Sequence, residues 1–228
     1  MCTRYSLTSP AEAVRAYFKV GGADEFPPRY NIAPTQPVPI IRMGAGGQHE
    51  LVLVRWGLIP AWVKDPREFT TLVNARSDSA LEKPSFRNAV KYRRCLIPAN
   101  GFYEWTGPKS DKRPYLIGPR GGGLMAFAGL WEHWQGADGS ELETMAILTT
   151  SANATLEPIH DRMPVILATE LFEGWLDARA LDAKDAARLL VPAPADLLEA
   201  VAVDKAISNS RRDGPELQRP AGEQKRLI

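Results

Sequence analysis

The sequence has few of the residues that hold metal ions or disulfide networks. Its 228 residues include two cysteines and three histidines. Two cysteines allow at most one disulfide, which argues against a small secreted scaffold and fits a reducing cytoplasm. The few thiols and imidazoles show no zinc-type spacing, and no phosphate-binding or dinucleotide motif is present. We therefore expect no bound metal and no cofactor.

Long apolar runs and an excess of one charge are also lacking. No stretch approaches the ~18 apolar residues of a membrane span, so we expect no membrane association. The first twenty residues contain no apolar segment of the kind found in signal peptides. The formal net charge is +1. A polyanionic partner must therefore be held by a local group of cations.

Short β-rich runs recur along the chain, with few helical segments between them. A hydrophobic content of 44% is ordinary for a globular protein, and no composition shift marks a linker. We predict one α+β domain over residues 1–220, with a mainly antiparallel, barrel-like β core flanked by short helices. The polar tail, 221–228, is expected to be mobile.

Turn and cap residues predict several local boundaries. Ser9 is predicted as the N-cap of a helix that ends near Phe18, with Glu12 completing a capping box. Asn100-Gly101, with β formers on both sides, predicts a hairpin. The β-rich runs 38–43 and 51–56, with three glycines between them, predict another. Further strands are expected at 38–43, 51–56, 93–98, 102–105, 115–117, 124–131, 144–150, 165–167 and 201–203, and short helices at 77–81, 85–90, 171–176 and 183–190.

A cysteine directly after the initiator is the most unusual chemical feature. If Met1 is removed, by an aminopeptidase or by self-cleavage, Cys2 carries an α-amine beside its thiol. Their ordinary pKa values, about 7.7–8.0 and about 8.5, leave both groups available near neutral pH. Such an aminothiol condenses with an aldehyde to an imine and then closes a thiazolidine ring. On position alone, a tolerated residue in a frayed terminus is the simpler interpretation.

Three polar residues lie at the edges of apolar strands, and each allows two interpretations. Glu104 lies between aromatic residues, so it is either a solvent-facing strand residue or a buried acid–base group with a raised pKa. His160 is either a proton shuttle or a hydrogen-bonded structural histidine. Asn74 either orients a bound group through its amide or serves the turn that follows its strand.

Arginines and one tryptophan are candidates for contacting nucleic acid. Arg4, Arg76 and Arg162 could clamp phosphates, although each by itself is typical of an ordinary surface arginine. Trp62, flanked by proline and charged residues, is predicted to be exposed, where it could stack on a base. Cys95 lies in an apolar run and is predicted to be a small buried residue.

Several short motifs follow one another in order along the chain. They are Met1-Cys2-x-Arg4-Tyr5, Arg29-Tyr30-Asn31-Ile32-Ala33-Pro34, Trp56-Gly57-Leu58-Ile59-Pro60, Asn74-Ala75-Arg76, Arg94-Cys95-Leu96-Ile97-Pro98, Gly101-Phe102-Tyr103-Glu104-Trp105, Ala128-Gly129-Leu130-Trp131-Glu132 and Ile159-His160-Asp161-Arg162-Met163-Pro164. Together they resemble the SRAP family (SOS response-associated peptidase domain). The resemblance covers the chain from Cys2 to about Pro220.

The resemblance implies an activity and a set of site residues. Members of this family bind single-stranded DNA at abasic sites and form a covalent crosslink through the N-terminal cysteine. Their catalytic residues correspond to Cys2, Asn74, Glu104 and His160. Thr3 is a departure, because the family usually has glycine at this position, and a β-branched residue restricts the local backbone.

The resemblance also implies how the DNA is held. Arg4, Arg76 and Arg162 match phosphate-contacting positions, and Trp62 could fill the gap that a missing base leaves. We expect a monomer whose partner is single-stranded DNA containing abasic sites, cytoplasmic and associated with the nucleoid when bound. The imine intermediate also permits β-elimination, a lyase side activity. The peptidase name implies release of the residue that precedes the cysteine.

Two other functions remain open from the sequence. An N-terminal-nucleophile hydrolase, a peptidase or an amidotransferase, would also need an exposed cysteine at its terminus, but it would form an acyl-enzyme. A non-catalytic reader of single-stranded nucleic acid would use the arginines alone, so its binding would be salt-sensitive and no stable adduct would form.

Overall fold

The computed structural model describes residues 2–22 and 25–222. Within these residues the strands are β1 (Tyr5–Leu7), β2 (Arg29–Ile32), β3 (Pro37–Met43), β4 (His49–Trp56), β5 (Asn74–Arg76), β6 (Arg94–Ala99), β7 (Gly101–Thr106), β8 (Arg113–Pro119), β9 (Met125–Gln135), β10 (Glu141–Ser151), β11 (Arg162–Pro164), β12 (Ile166–Leu167) and β13 (Leu198–Ala202). The α-helices there are α1 (Ala11–Phe18), α2 (Arg87–Tyr92), α3 (Phe172–Leu176) and α4 (Ala183–Ala187). Short 3-10 turns lie at Thr169–Leu171, Ala195–Leu197, Lys205–Ser208 and Pro215–Gln218.

The strands form two sheets. The smaller sheet has the order β13-β8-β7-β1-β2, and the larger has the order β11-β10-β4-β3-β6-β9-β12 with β5 beside β10. Because β9 also pairs with β10, the strands β9, β10, β4, β3 and β6 follow one another in a ring, which leaves fewer unpaired edges. Among the described residues, β10 pairs in parallel with β4 and β5, and the other strand pairs are antiparallel. The predicted α+β class with a mainly antiparallel β core is confirmed; the larger sheet is partly ring-like.

Buried aromatic side chains join the two sheets. The Tyr5 ring of β1 lies edge-on to Trp56 of β4 at 5.2 Å and to Phe127 of β9 at 6.0 Å. Edge-to-face contacts of this kind add to the free energy that burial of the rings contributes. The indole Nε1 of Trp56 donates to the carbonyl of Val73 at 2.9 Å. The core therefore fixes the segment that leads directly into Asn74.

The first helix begins without the predicted capping box. Its N-cap is Pro10, and it has no side-chain capping hydrogen bond. The Ser9 hydroxyl instead accepts a hydrogen bond from the amide Nδ2 of Asn100 at 2.9 Å. The prediction of Ser9 as N-cap is wrong because a tertiary partner takes its side chain. The helix end at Phe18 is confirmed.

Asn100-Gly101 does not form the predicted hairpin. Strand β6, which ends before Asn100, pairs with β3 and β9, whereas β7, which begins at Gly101, pairs with β1 and β8. The Asn100 side chain accepts from the backbone N–H groups of Thr8 and Ser9 at 2.8 and 2.9 Å and donates to the Gly123 carbonyl at 2.9 Å. This pair of residues therefore marks the crossing of the chain from one sheet to the other.

Other local predictions can be compared directly. The hairpin of β3 and β4 is confirmed, with Ile40 opposite Val52, and Cys95 is fully buried. Residues 77–81 form turns where a helix was predicted. None of the helices in the described ranges is long and apolar enough to cross a membrane. Of the predicted mobile tail, residues 223–228 lie outside the described residues.

Candidate functional site

Strand β1 places the amino terminus beside β7. Tyr5 is paired with Phe102, and the backbone N–H of Tyr103 donates to the Arg4 carbonyl at 3.0 Å. Continuing this antiparallel pairing toward the terminus brings Cys2 alongside the strand that carries Glu104. The pairing of β1 with β7 is therefore enough to bring Cys2 close to Glu104.

Asn74 joins the terminus to the larger sheet. It begins β5, where it lies opposite Ile147 of β10. Its amide Nδ2 donates to the Cys2 carbonyl at 2.8 Å. Its Oδ1 is buried and accepts no hydrogen bond from the described residues. An acceptor of this kind is suited to a donor that arrives with a substrate or with the freed α-amine.

Glu104 and His160 lie side by side and, together with Cys2 and Asn74, make up the cluster of side chains that is called the pocket here. His160 Nε2 lies 4.0 Å from Glu104 Oε2, and the Glu104 side chain is buried whereas that of His160 is 25% exposed. Burial raises the pKa of Glu104 above its ordinary value, and the nearby His160 offsets part of that increase. A carboxyl group with a raised pKa can both donate and accept protons near neutral pH.

The hydrogen bonds of His160 indicate which nitrogen carries its proton. The backbone N–H of Arg162 donates to Nδ1 at 3.0 Å, so a neutral imidazole carries its proton on Nε2, the nitrogen that faces Glu104. This tautomer is assigned from geometry. The Asp161 carboxylate lies 2.9 Å from the same Nδ1. It can accept a hydrogen bond from Nδ1–H when the ring is protonated.

The Cys2 thiol is more strongly buried than its position in the sequence indicates. The residue has no exposed surface, and Sγ donates to the Arg4 carbonyl at 3.6 Å. Burial, together with the negative charge of Glu104, raises the pKa of the thiol above its ordinary value. The expectation of a thiol with an ordinary pKa is therefore wrong for the folded chain, and a nearby base must remove its proton.

Two of the three predicted phosphate contacts lie together. Arg76 and Arg162 both donate to one carboxylate oxygen, Oδ2 of Asp78, at distances of 3.0 to 3.3 Å. Arg162 is also held by the Thr149 carbonyl at 2.6 Å. Arg76 is two residues after Asn74 on the same strand, and Arg162 is two residues after His160. Each arginine is therefore two residues along the chain from a residue of the pocket, and this position is called the border of the pocket.

Arg4 lies in a different environment from the other two arginines. Its Nη1 donates to Asn31 Oδ1 at 2.8 Å and to the Ile207 carbonyl at 3.1 Å. Its burial lowers the pKa of the guanidinium. These contacts tie the terminus to the turn 205–208. A contact of Arg4 with phosphate stays a prediction.

Trp62 is exposed, as predicted, with 59% of its surface accessible. Its ring meets Phe69 edge-on at 5.7 Å, and both belong to the loop between β4 and β5. An exposed aromatic face on the segment that leads to Asn74 is available for stacking. Whether Trp62 contacts a base stays a prediction.

Two residues that the sequence interpretation did not single out support this site. Asn31 is buried and donates to the Ile207, Asn209 and Arg212 carbonyls. Asp78 links Arg76 and Arg162. A carboxylate two residues after a candidate phosphate-binding arginine was the signal available for Asp78, whereas the carbonyl groups to which Asn31 donates are more than 170 positions away in the chain.

Among the residues that the structure describes, no group of three or more His, Cys, Asp or Glu side chains is placed to hold a metal ion. The pocket instead combines a thiol, an amide, a buried carboxyl group and an imidazole. These are the groups needed for proton transfer and for addition to a carbonyl carbon.

Comparison with known protein families gives one match over most of the chain. Residues 1–210 match the model of the SOS response associated peptidase (SRAP) family. The chain is 40% identical over 222 residues to the abasic site processing protein YoqW of Bacillus subtilis, covering 95% of this chain and 98% of that protein. It is 32% identical over 227 residues to the abasic site processing protein HMCES of Xenopus tropicalis, covering 86% of this chain and 67% of that protein.

Solved structures share the same fold. An X-ray structure of a protein from Bacteroides thetaiotaomicron superposes with a TM-score of 0.86 at 28% identity, covering 96% of this chain and all of that one. A protein from Bordetella bronchiseptica superposes with a TM-score of 0.77 at 30% identity, covering 89% of this chain and 100% of that one.

Proposed function

The chain belongs to the SOS response associated peptidase family, and we therefore propose that it recognises abasic sites in single-stranded DNA and crosslinks to them through Cys2. The relatives named above are abasic site processing proteins. The observation that carries the proposal is the meeting of the Cys2 terminus with Asn74, Glu104 and His160 in one pocket. Removal of Met1, by an aminopeptidase or by self-processing, is required first.

The proposed reaction joins both Cys2 groups to one carbon of the sugar. A ring-opened abasic site presents an aldehyde, and the α-amine adds to its carbonyl carbon. Loss of water gives an imine. The thiol sulfur then adds to the same carbon while the thiol proton passes, through a base, to the nitrogen. One water is lost in total, and a five-membered thiazolidine remains.

Glu104 is the proposed proton carrier for the amine and the thiol. Burial raises its pKa toward the range in which a carboxyl group can act both as acid and as base. Its charged form raises the pKa of the Cys2 thiol by disfavouring the thiolate, so loss of the thiol proton is easier when Glu104 itself takes up that proton and becomes neutral. Both effects follow from the burial of the two groups in the same pocket.

His160 is the proposed acid and base for the sugar. An abasic sugar must open its ring before the aldehyde is available, which requires proton transfer at the ring oxygen and at the anomeric hydroxyl. The Nε2–H of His160 faces the pocket, while Nδ1 is held by the Arg162 backbone. The fixed ring orientation leaves Nε2 for the proton transfer.

Asn74 is the proposed positioning residue. Its amide Nδ2 holds the Cys2 carbonyl, which limits rotation of the terminus. Its buried Oδ1 is available for the α-amine or for a sugar hydroxyl. Holding the amine and the aldehyde in register converts a bimolecular addition into an effectively unimolecular one.

The strand itself is proposed to lie along the arginines and Trp62. Arg76 and Arg162 border the pocket, and a local pair of cations is what a chain of net charge +1 requires to hold a polyanion. We propose a monomer in the cytoplasm that associates with DNA when abasic sites appear. A lyase side reaction and self-release of Met1 belong to the same proposal.

The test is a crosslinking assay with a single strand that carries one abasic site. Wild-type protein should give an adduct that survives a denaturing gel without a reductant, and intact mass should show loss of Met1. Cys2→Ala should abolish this adduct while strand binding persists, because the remaining amine forms only a hydrolysable imine. A form that retains Met1 should fail as completely. Crosslinking at the wild-type rate by the Met1-retaining form would overturn the proposal.

The two competing functions predict different results in other measurements. A hydrolase with Cys2 as nucleophile predicts turnover of a peptide or of glutamine through an acyl-enzyme. A non-catalytic reader predicts salt-sensitive binding with no stable adduct. Of the three functions, the proposed one alone predicts an adduct with the abasic strand that survives denaturation.

A further inference from the structure

One carboxylate oxygen of Asp78 accepts hydrogen bonds from both arginines at the border of the pocket, Arg76 and Arg162. Asp78 Oδ2 accepts from Arg76 Nε and Nη2 at 3.3 and 3.2 Å, and from Arg162 Nη1 at 3.0 Å. Guanidinium groups bind carboxylate and phosphate oxygens with the same donor geometry. The Asp78 oxygen therefore uses the donors that a bridging phosphate oxygen would need.

Asp78 is not needed to hold Arg162 in place. The Arg162 side chain is 12% exposed, and its Nη2 donates to the Thr149 carbonyl at 2.6 Å. That contact orients the guanidinium from the neighbouring strand β10. The ion pair with Asp78 is made by the other terminal nitrogen, Nη1.

The ion pair of Asp78 with Arg76 is exposed to solvent. Their side chains are 49% and 55% exposed, and exposed ion pairs of this kind are weak because water and salt screen them. Slight burial acts to raise the pKa of Asp78, but the hydrogen bonds from Arg76 and Arg162 outweigh it and lower the pKa. The carboxylate is therefore charged at neutral pH and can leave the arginines when a stronger anion arrives.

We propose that Asp78 is an internal competitor for the strand: its carboxylate occupies Arg76 and Arg162 until a backbone phosphate displaces it. The inference rests on the DNA binding proposed above and adds a control on its strength. Asp78 weakens the binding of intact strands, which dissociate again. It does not reduce the amount of crosslinked strand that stays on the protein, because a covalent bond retains that strand.

The experiment removes the negative charge of the Asp78 side chain and keeps its size and shape. Asp78→Asn should bind an undamaged single strand about threefold to tenfold more tightly than wild type in fluorescence anisotropy, with a steeper fall in affinity as salt rises. A strand with a tetrahydrofuran abasic analogue, which has no aldehyde, should show the same gain. Asp78→Glu keeps the charge and should stay close to wild type. In an Arg76→Ala background the gain from Asp78→Asn should shrink.

Asp185→Asn is the matched control. Asp185 is paired with Arg188 at 2.7 Å on α4, so this variant also removes one negative charge beside an exposed arginine. It should leave strand affinity unchanged. An equal gain in Asp185→Asn would mean that net charge alone is responsible, and would overturn the proposal.

Weaker or unchanged binding by Asp78→Asn, at an unchanged melting temperature, would also overturn it, because Asp78 would then be a support for the arginines or irrelevant to them. If wild-type protein binds no strand at low salt, the proposed function itself fails. That result is distinguishable from a failure of the competitor alone, in which wild type binds and the variant binds no better.

Discussion

A single buried carboxyl group links the stability of this protein to its proposed chemistry. Burial raises the pKa of Glu104, and His160 offsets only part of that increase. Between the ordinary and the raised pKa the folded chain binds more protons than the unfolded chain. The contribution of Glu104 to the free energy of unfolding is therefore largest below its ordinary pKa, and it is lost as pH rises through the raised pKa.

Replacing Glu104 by Gln should separate these two properties. The neutral amide avoids the desolvation of a carboxylate, so the variant should melt about 2–4 °C above wild type at neutral pH, as expected for roughly 1 kcal/mol in a chain of this size. This advantage should vanish at acidic pH, where wild-type Glu104 is protonated. Crosslinking should slow by about 10²–10⁴-fold, as expected for loss of a proton carrier. Melting curves and gel assays over a pH series measure both.

Glu132→Gln is the matched control for this prediction. Glu132 is also buried with a pKa raised by burial, but its partner is Arg93, at 3.1 Å. Its replacement should leave the crosslinking rate unchanged. If both variants slowed crosslinking equally, the role of Glu104 as a proton carrier would be wrong.

At the level of elements, the junction between β6 and β7 decides how the two sheets meet. Asn100 bonds to the segment before α1 and to Gly123, with four side-chain hydrogen bonds of 2.8 to 2.9 Å. The junction fixes β7, and β7 carries Glu104. An asparagine outside the pocket therefore supports the position of a residue inside it.

Asn100→Ala should destabilise the fold by about 2–4 kcal/mol, since several partly buried polar groups lose their partners at once. Urea unfolding measures this change. Ser9→Ala removes one of the four bonds and should cost about 0.5–1.5 kcal/mol. Equal losses in the two variants would contradict the role of Asn100 as the junction.

At the level of the whole molecule, attraction to a polyanion must come from local groups of cations. The net charge is +1, so attraction to a polyanion depends on where the cations lie. The ring of strands and the smaller sheet bring β5, β11 and the amino terminus to the same border of the pocket. This convergence concentrates positive charge without a basic composition.

Arg76→Ala should weaken binding of intact and abasic strands alike and reduce the slope of log affinity against log salt by about 1. Anisotropy titrations at several salt concentrations measure the slope. Arg188→Ala, which removes an exposed arginine directly after α4, should leave the slope unchanged. If Arg76→Ala affected abasic strands alone, Arg76 would have a chemical role and not a phosphate contact.

Local patterns predicted a large part of this protein. Two β-rich runs and the glycines between them predicted the hairpin of β3 and β4, and an apolar context predicted the burial of Cys95. The aminothiol proposed for Cys2 follows from its place directly after Met1, once Met1 is removed. Such features are determined by the sequence because each depends on neighbouring residues alone.

Tertiary structure decided what depends on distant partners. Ser9 has the side chain of an N-cap, and Asn100-Gly101 has the composition of a tight turn, yet contacts between the two segments override both preferences. The raised pKa of Cys2 and the sharing of Asp78 by Arg76 and Arg162 likewise arise from burial and from pairing across strands. The sequence by itself determined which chemical groups are present and most of the strands. Packing decided their protonation and their partners, because desolvation and ion pairing depend on what surrounds a group in space.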